Sequence, residues 1–76
     1  MLMSKLKRGD NFRVVAINLA DAFKVRLAEM GLGVGTEHTI MQRSAFGAKI
    51  LESGVNGNER IAVDAFCAGK VEVERL

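Results

Sequence analysis

The sequence predicts a small, mainly β domain of the α+β type, with five short strands and one helix arranged as a small barrel. Short runs of β-branched and apolar residues recur along the chain, separated mostly by glycine or asparagine, which is typical of strands joined by tight turns. A single longer stretch, residues 19–30, has apolar side chains at the three- and four-residue spacing of a helix. A chain of 76 residues is too short for a large core, and a compact barrel suits that length.

The first strand and the helix are expected to follow one another directly. Residues 12–17 are β-branched and apolar, and a Gly9-Asp10-Asn11 turn precedes them, so they are predicted to form a strand. Asn18 is then expected to cap the helix at residues 19–30, because its side chain can accept a hydrogen bond from a free backbone N–H at the helix start. Asp21 places a negative charge in the first turn, where it is favourable.

The end of this helix carries the most informative local pattern in the chain. Phe23, Leu27 and Met30 share one helical face, which is predicted to be a buried stripe. Gly31 occupies the position of a left-handed C-terminal cap, and Leu32 is the apolar residue expected to fold back on the last turn. The helix is therefore predicted to stop at a fixed point and to be followed by a strand.

Three alternating glycines, Gly31, Gly33 and Gly35, raise the alternative of a phosphate-binding loop. In such a loop the glycines follow a strand and open a helix, so that phosphate meets the helix N-terminus. Here the helix precedes the glycines and a strand follows them. The glycines are predicted to serve the cap and a tight turn, and nucleotide binding is disfavoured.

The rest of the chain is predicted to form short strands. Asn56-Gly57 is a strong signal for a tight hairpin turn, and Gly54 before it marks a candidate β-bulge. Alternation and turn residues predict a second strand at 36–43, a loop at 44–48, a third strand at 49–55, a fourth at 60–63, one helical turn at 64–69 and a fifth strand at 71–74.

Composition restricts the cellular setting. No repeat, low-complexity segment or linker is found, so residues 1–76 are predicted to form a single domain. The chain has one cysteine, Cys67, which cannot form an internal disulfide, and its first residues lack the apolar segment of a secretory signal. These features favour the cytoplasm. The apolar runs are too short to span a bilayer, so contact with a membrane is expected only through a partner.

The charge pattern argues against nucleic-acid binding. The net charge is +2, but acidic and basic residues are interleaved along the chain. Lys5, Lys7 and Arg8 form the one basic cluster, and no aromatic residue lies among them to stack on a base. They are expected on a solvated N-terminal segment instead.

Several separated pieces of the chain point to a known family. The most specific is the run Arg-Leu-x-x-Met-Gly-Leu-x-x-Gly-Thr, from Arg26 to Thr36. Weaker pieces accompany it over nearly the whole chain: Leu6-Lys7-Arg8-Gly9-Asp10, Phe46-Gly47 followed by Ile50, Ile61-Ala62-Val63 and Val71-Glu72-Val73. Together they resemble the FeoA family, the small cytoplasmic component of bacterial ferrous iron uptake. The resemblance implies an SH3-like five-stranded barrel with the helix between strands 1 and 2.

The chain departs from the family pattern at a few positions. Family members usually have proline before the second turn glycine and Gly-Asp-Pro in the central loop, whereas this chain has Val34-Gly35 and Gly47-Ala48-Lys49. Asp64 stands where relatives tend to carry a basic residue.

No residue set for catalysis is recognised, so the protein is predicted not to be an enzyme. Its one histidine, His38, shares strand parity with Ile40 and is expected to be partly buried at a barrel rim. Cys67 lies among alanines and Phe66, and is interpreted as a small buried side chain. No cofactor is expected. A weak divalent metal site would require two chains to pool His38 with carboxylates such as Glu37.

The remaining candidate is a surface that binds another protein. Phe46 lies in a loop, where a large apolar side chain either packs inward or meets a partner. Arg26, Met30 and Leu32 form a second candidate patch at the helix end. For Met30 and Leu32 a core role is favoured because the helix cap needs them, and Arg26 is also consistent with a solvated side chain.

Two functions of different classes follow. The resemblance implies a non-enzymatic accessory protein of ferrous iron transport that docks to the cytoplasmic GTPase region of the FeoB permease. The alternative is a metal-linked regulatory domain acting as a dimer or in trans, because similar SH3-like modules occur in metal-dependent transcriptional repressors. The oligomeric state is open, a homodimer included.

Overall fold

The fold comprises a five-stranded antiparallel sheet with one main helix. The computed structural model describes residues 1–44, 46–53 and 59–76. In chain order its elements are a 3-10 helix at Met3–Lys5, β1 at Asn11–Ile17, α1 at Asp21–Glu29, β2 at Glu37–Arg43, β3 at Lys49–Ser53, β4 at Glu59–Val63, α2 at Ala65–Ala68 and β5 at Val71–Arg75. No helix in this part of the chain has both the length and the apolar character needed to cross a membrane.

The strand order confirms the predicted fold class. It runs β4-β3-β2-β1-β5, and all four pairings are antiparallel. β4 and β5 lie at the two edges and are joined in sequence by α2, whose Cys67 and Ala68 enter the core. The predicted bulge at Gly54 and the turn at Asn56-Gly57 lie outside the described residues.

An irregularity in β1 explains which of its side chains reach the core. The register between β1 and β5 shifts between Val14 and Ala16, so one extra residue is accommodated there. Phe12, Val14 and Ile17 are all buried although their spacing changes from two residues to three, and Val15 points outward. A second shift lies in β2 between Ile40 and Gln42.

The N-terminal segment contributes to the core, which the sequence did not predict. Met3 and Leu6 are completely buried, while Lys5, Lys7 and Arg8 are exposed as expected. The segment is held in place because Leu2 forms a β-bridge with Glu72 in β5. The segment therefore packs against β5 and α2, and the prediction of a solvated segment holds only for its charged side chains.

The start of α1 differs from the prediction. Ala20, not Asn18, is the N-cap, and no side chain caps this end. The Asn18 N–H instead donates to the carbonyl of Lys70 at 2.8 Å, which ties Asn18 to the segment that precedes β5. Asn18 is thus held beside the segment that precedes β5, and the helix begins three residues later, at Asp21.

The outer surface of α1 is more exposed than the predicted stripe. Leu27 is the one helix residue that is buried. Phe23 is 43% exposed and Met30 is 40% exposed, so the prediction of a continuous buried face is wrong. Leu27, together with the partly buried Leu19, supplies the contact between this region and the core.

The end of α1 confirms the predicted cap. Gly31 has a φ of +97°, in the left-handed region that favours glycine. Its N–H donates to the carbonyl of Ala28, and the N–H of Leu32 donates to the carbonyl of Leu27, both at 2.9 Å. These bonds form a Schellman motif, and Leu27 and Leu32 are both buried beside it.

Candidate docking surface

The loop between β2 and β3 holds the most exposed large apolar side chain of the described residues. Phe46 is 90% exposed, so it does not pack inward. Ser44 lies at the start of this loop, and its Oγ accepts the N–H groups of Phe46 at 3.2 Å and Ala48 at 3.1 Å. The Ser44 N–H also donates to the carbonyl of Ala48 at 2.9 Å. Hydrogen bonds within the loop thus present Phe46 to solvent.

Glycine is required next to Phe46 for two reasons. Gly47 has a φ of +90°, a conformation that other residues adopt only with strain. A Cβ atom at Gly47 would also lie 3.3 Å from the Cβ of Ala65 in α2. The β2–β3 loop therefore rests against the start of α2, where Phe66 is another exposed aromatic residue.

A groove opens beside this loop. Its volume is about 800 Å³. It is bounded by β2, β3, the end of β4 and the turn before the first strand, and we call it the basic groove because three of its lining residues are cations. The lining residues are Arg8, Gln42, Arg43, Ser44, Ala48, Lys49, Ile50, Ala62, Val63 and Asp64.

The structure separates the residues of the second candidate patch. Leu32 is completely buried, which places it in the core and removes it from any docking surface. Met30 is the helix C-cap and is partly exposed, and Arg26 is exposed on α1. Of the three residues of this patch, Arg26 and Met30 are therefore the two that a partner could contact.

His38 and Glu37 lie on opposite faces of β2 within the chain. Successive strand residues face opposite sides, so Glu37 points outward and His38 inward. A carboxylate oxygen of Glu37 pairs with Arg13 at 2.9 Å. His38 is only 4% exposed, more deeply buried than the expected rim position, and its Nε2 lies 2.7 Å from Oγ1 of Thr36. Across residues 1–44, 46–53 and 59–76, no group of three His, Cys, Asp or Glu residues could hold a metal ion.

Cys67 lies in the interior, as the sequence indicated. It is buried on α2, and burial raises the pKa of its thiol, with Asp64 acting in the same direction. The N–H of Cys67 donates to Oδ1 of Asp64 at 2.8 Å, so Asp64 is the N-cap of α2. This hydrogen bond keeps the pKa of the Asp64 carboxyl below its usual value. A raised thiol pKa and an ionised carboxylate nearby both disfavour the thiolate, so Cys67 is expected to be unreactive as a nucleophile.

Sequence reasoning missed the basic groove. Lys49 is 2% exposed, although lysine is among the residues that are least often buried. The residues that meet Lys49 are distant in sequence, and its Nζ donates to the carbonyl of Leu6, 43 positions away. No local pattern around residue 49 signals that contact.

Comparison with known sequences gives one family. A family model described as the FeoA domain matches residues 1–75. No curated protein matches the chain.

Solved structures agree with that match. A crystal structure of an iron uptake regulatory protein (FeoA) is 28% identical, with a TM-score of 0.87 over all of this chain and 97% of that one. The solution structure of the FeoA protein from Chlorobium tepidum is 25% identical, with a TM-score of 0.86 over all of this chain and 70% of that one. The iron(II) transport protein A from Clostridium thermocellum is 26% identical, with a TM-score of 0.86 over all of this chain and 46% of that one.

Proposed function

The chain belongs to the FeoA domain family, and on that premise we propose that it is a non-enzymatic accessory protein that docks to the cytoplasmic GTPase region of the FeoB permease. The family is associated with ferrous iron transport. The proposal places the protein in the cytoplasm and gives it a membrane connection only through that partner.

The observation that carries a docking role is the exposure of Phe46. A phenylalanine side chain that is 90% exposed leaves most of its apolar area in water, which a binding partner would remove. The hydrogen bonds to Ser44 restrain the backbone at Phe46 and Ala48, which reduces the conformational entropy lost when a partner binds. Aromatic residues, phenylalanine included, are enriched at protein interfaces.

The positions of His38 and Cys67 support an interaction role over catalysis. The groups most often used as a base or nucleophile both lie in the interior. His38 is engaged with Thr36, and the pKa of the Cys67 thiol is raised by burial. Neither lines the basic groove, where a substrate would have room to bind.

A capture experiment tests the proposal. The cytoplasmic GTPase region of the FeoB permease encoded in the same genome is immobilised, and the purified chain is passed over it. We expect specific retention that is absent from a surface carrying an unrelated GTPase domain. Equal recovery from both surfaces would contradict the proposed partner.

A further inference from the structure

Two cations in the basic groove lie directly opposite one another. Arg43 in β2 and Lys49 in β3 are paired across the sheet, so their side chains start on the same face. Like charges in directly opposite positions destabilise a sheet. Arg8 lines the same groove and adds a third positive charge.

Lys49 has unused hydrogen-bonding capacity. An ammonium group has three N–H donors, and Nζ of Lys49 donates to the carbonyl of Leu6 at 3.2 Å. Burial lowers the pKa of this amine, and the charge of Arg43 lowers it further. A nearby carboxylate would relieve both effects, because it would accept hydrogen bonds and offset the two positive charges.

The chain itself does not supply that carboxylate among the side chains that the structure describes. Asp64 lines the groove, but its carboxylate caps α2 at Cys67 and forms none of the ion pairs of the described side chains. The ion pairs of the described side chains lie elsewhere: Arg13 with Glu37 and Glu74, and Arg75 with Asp10. The groove thus has an excess of positive charge and a place for an anion.

The groove also has an apolar part. Ala48, Ile50, Ala62 and Val63 contribute to its lining. Its volume of about 800 Å³ greatly exceeds that of a simple inorganic anion. The exposed Phe46 belongs to the loop that forms one wall, so apolar surface continues beyond the groove.

We propose that the basic groove receives an acidic segment of the partner protein, with one carboxylate beside the exposed Arg43, over the buried Lys49, and a neighbouring apolar side chain against Ile50 and Ala62, which are paired on one face of the sheet. This inference rests on the proposed function and names the chemistry by which the partner is recognised. Phe46 contacts the same partner beside the groove.

Charge reversal in the groove tests the inference. Arg43→Glu puts a carboxylate opposite Lys49 and occupies the place assigned to the partner's acid. We expect binding to the GTPase region of the permease to weaken about tenfold or more, with no loss of thermal stability. Lys24→Glu is the matched control, since it makes the same change of net charge on the exposed surface of α1 and should alter binding little.

A second probe does not depend on the permease. We titrate the chain with a short blocked peptide of alternating leucine and glutamate, and with the same peptide carrying glutamine, and follow backbone amide signals by NMR. The glutamate peptide should shift the signals of residues 42–44, 48–50 and 62–64, and the glutamine peptide should bind at least about tenfold more weakly.

The outcomes separate the two proposals. If the permease region binds wild type, Arg43→Glu and Lys24→Glu equally, the groove assignment is overturned while the proposed function stands. If the permease region does not bind but the glutamate peptide titrates the groove, the proposed function fails and the recognition chemistry stands. A peptide that moves no groove signal, or an oligonucleotide that binds there more tightly than the peptide, overturns the groove proposal.

Discussion

Oγ1 of Thr36 lies 2.7 Å from Nε2 of His38 and donates its only proton to the carbonyl of Gly33, also at 2.7 Å. Thr36 therefore accepts a hydrogen bond from His38, which places a proton on Nε2. The other ring nitrogen, Nδ1, is buried and has no hydrogen-bond partner in the described structure. A proton added at Nδ1 would have no acceptor.

The first prediction is a loss of stability below neutral pH. Burial lowers the pKa of His38 from its usual value of 6.5. Between 6.5 and the lower folded-state pKa the unfolded chain binds a proton that the folded chain does not, so the free energy of unfolding falls as the pH drops. Urea unfolding monitored by circular dichroism at pH 7.5 and at steps down to about 5 measures this slope, above the range where carboxylates titrate.

The histidine variant identifies the source of that slope. His38→Gln can still donate a hydrogen bond to Thr36 but cannot titrate. Because His38 is the only histidine in the sequence, the variant should show a nearly flat stability between pH 7.5 and about 5. If the free energy of unfolding of His38→Gln still falls as the pH drops, the pH dependence comes from another titratable group.

The second prediction concerns the burial of Leu32. Leu32→Ala should lower the free energy of unfolding by about 2–5 kcal/mol, because it removes a completely buried side chain. Met30→Ala, two residues earlier and partly exposed, should cost less than about 1 kcal/mol. Urea denaturation of both variants measures the difference. Similar values for the two would contradict the placement of Leu32 in the core.

The third prediction concerns the helix cap. Gly31→Ala places a Cβ atom in a left-handed conformation and should cost about 1–2 kcal/mol of stability. Gly33→Ala is the control, since Gly33 does not have a positive φ and a Cβ there meets no atom within 4 Å. It should be neutral to within about 0.5 kcal/mol. If both variants lose the same free energy of unfolding, the Schellman motif is not the reason that glycine stands at position 31.

Sequence reasoning succeeded where structure depends on neighbours along the chain. The Schellman motif uses bonds between residues 27 and 32, so Gly31 and Leu32 sufficed to predict it. The α2 turn, which was also predicted, is local in the same way. Asp64 caps it by accepting the N–H of Cys67, three residues later. The five strands were found within a few residues of their observed ends.

It failed where a contact joins distant parts of the chain. Asn18 has the right side chain for an N-cap, but its N–H is bound to Lys70 and the helix begins later. Met3 and Leu6 are buried because the segment bridges to β5. Lys49 is buried against Leu6, and neither residue signals the contact locally. Phe46 was recognised as a candidate, but only the structure decided that its side chain points outward.

The fourth prediction concerns Phe46. Phe46→Ala should weaken binding to the GTPase region of the permease about tenfold or more, because it removes the apolar area that the partner would bury. Its stability should change by no more than about 0.5 kcal/mol, since the side chain is almost fully exposed. Val34→Ala, at another exposed apolar residue, is the control and should leave affinity unchanged. An unaltered affinity for Phe46→Ala would remove this residue from the interface.

The most direct test of the central claim is a calorimetric titration of the wild-type chain into the isolated cytoplasmic GTPase region of the FeoB permease. The docking account predicts saturable binding, weakened by Phe46→Ala and by Arg43→Glu and retained by Lys24→Glu. Absence of binding up to millimolar concentrations, with both proteins folded, would contradict it.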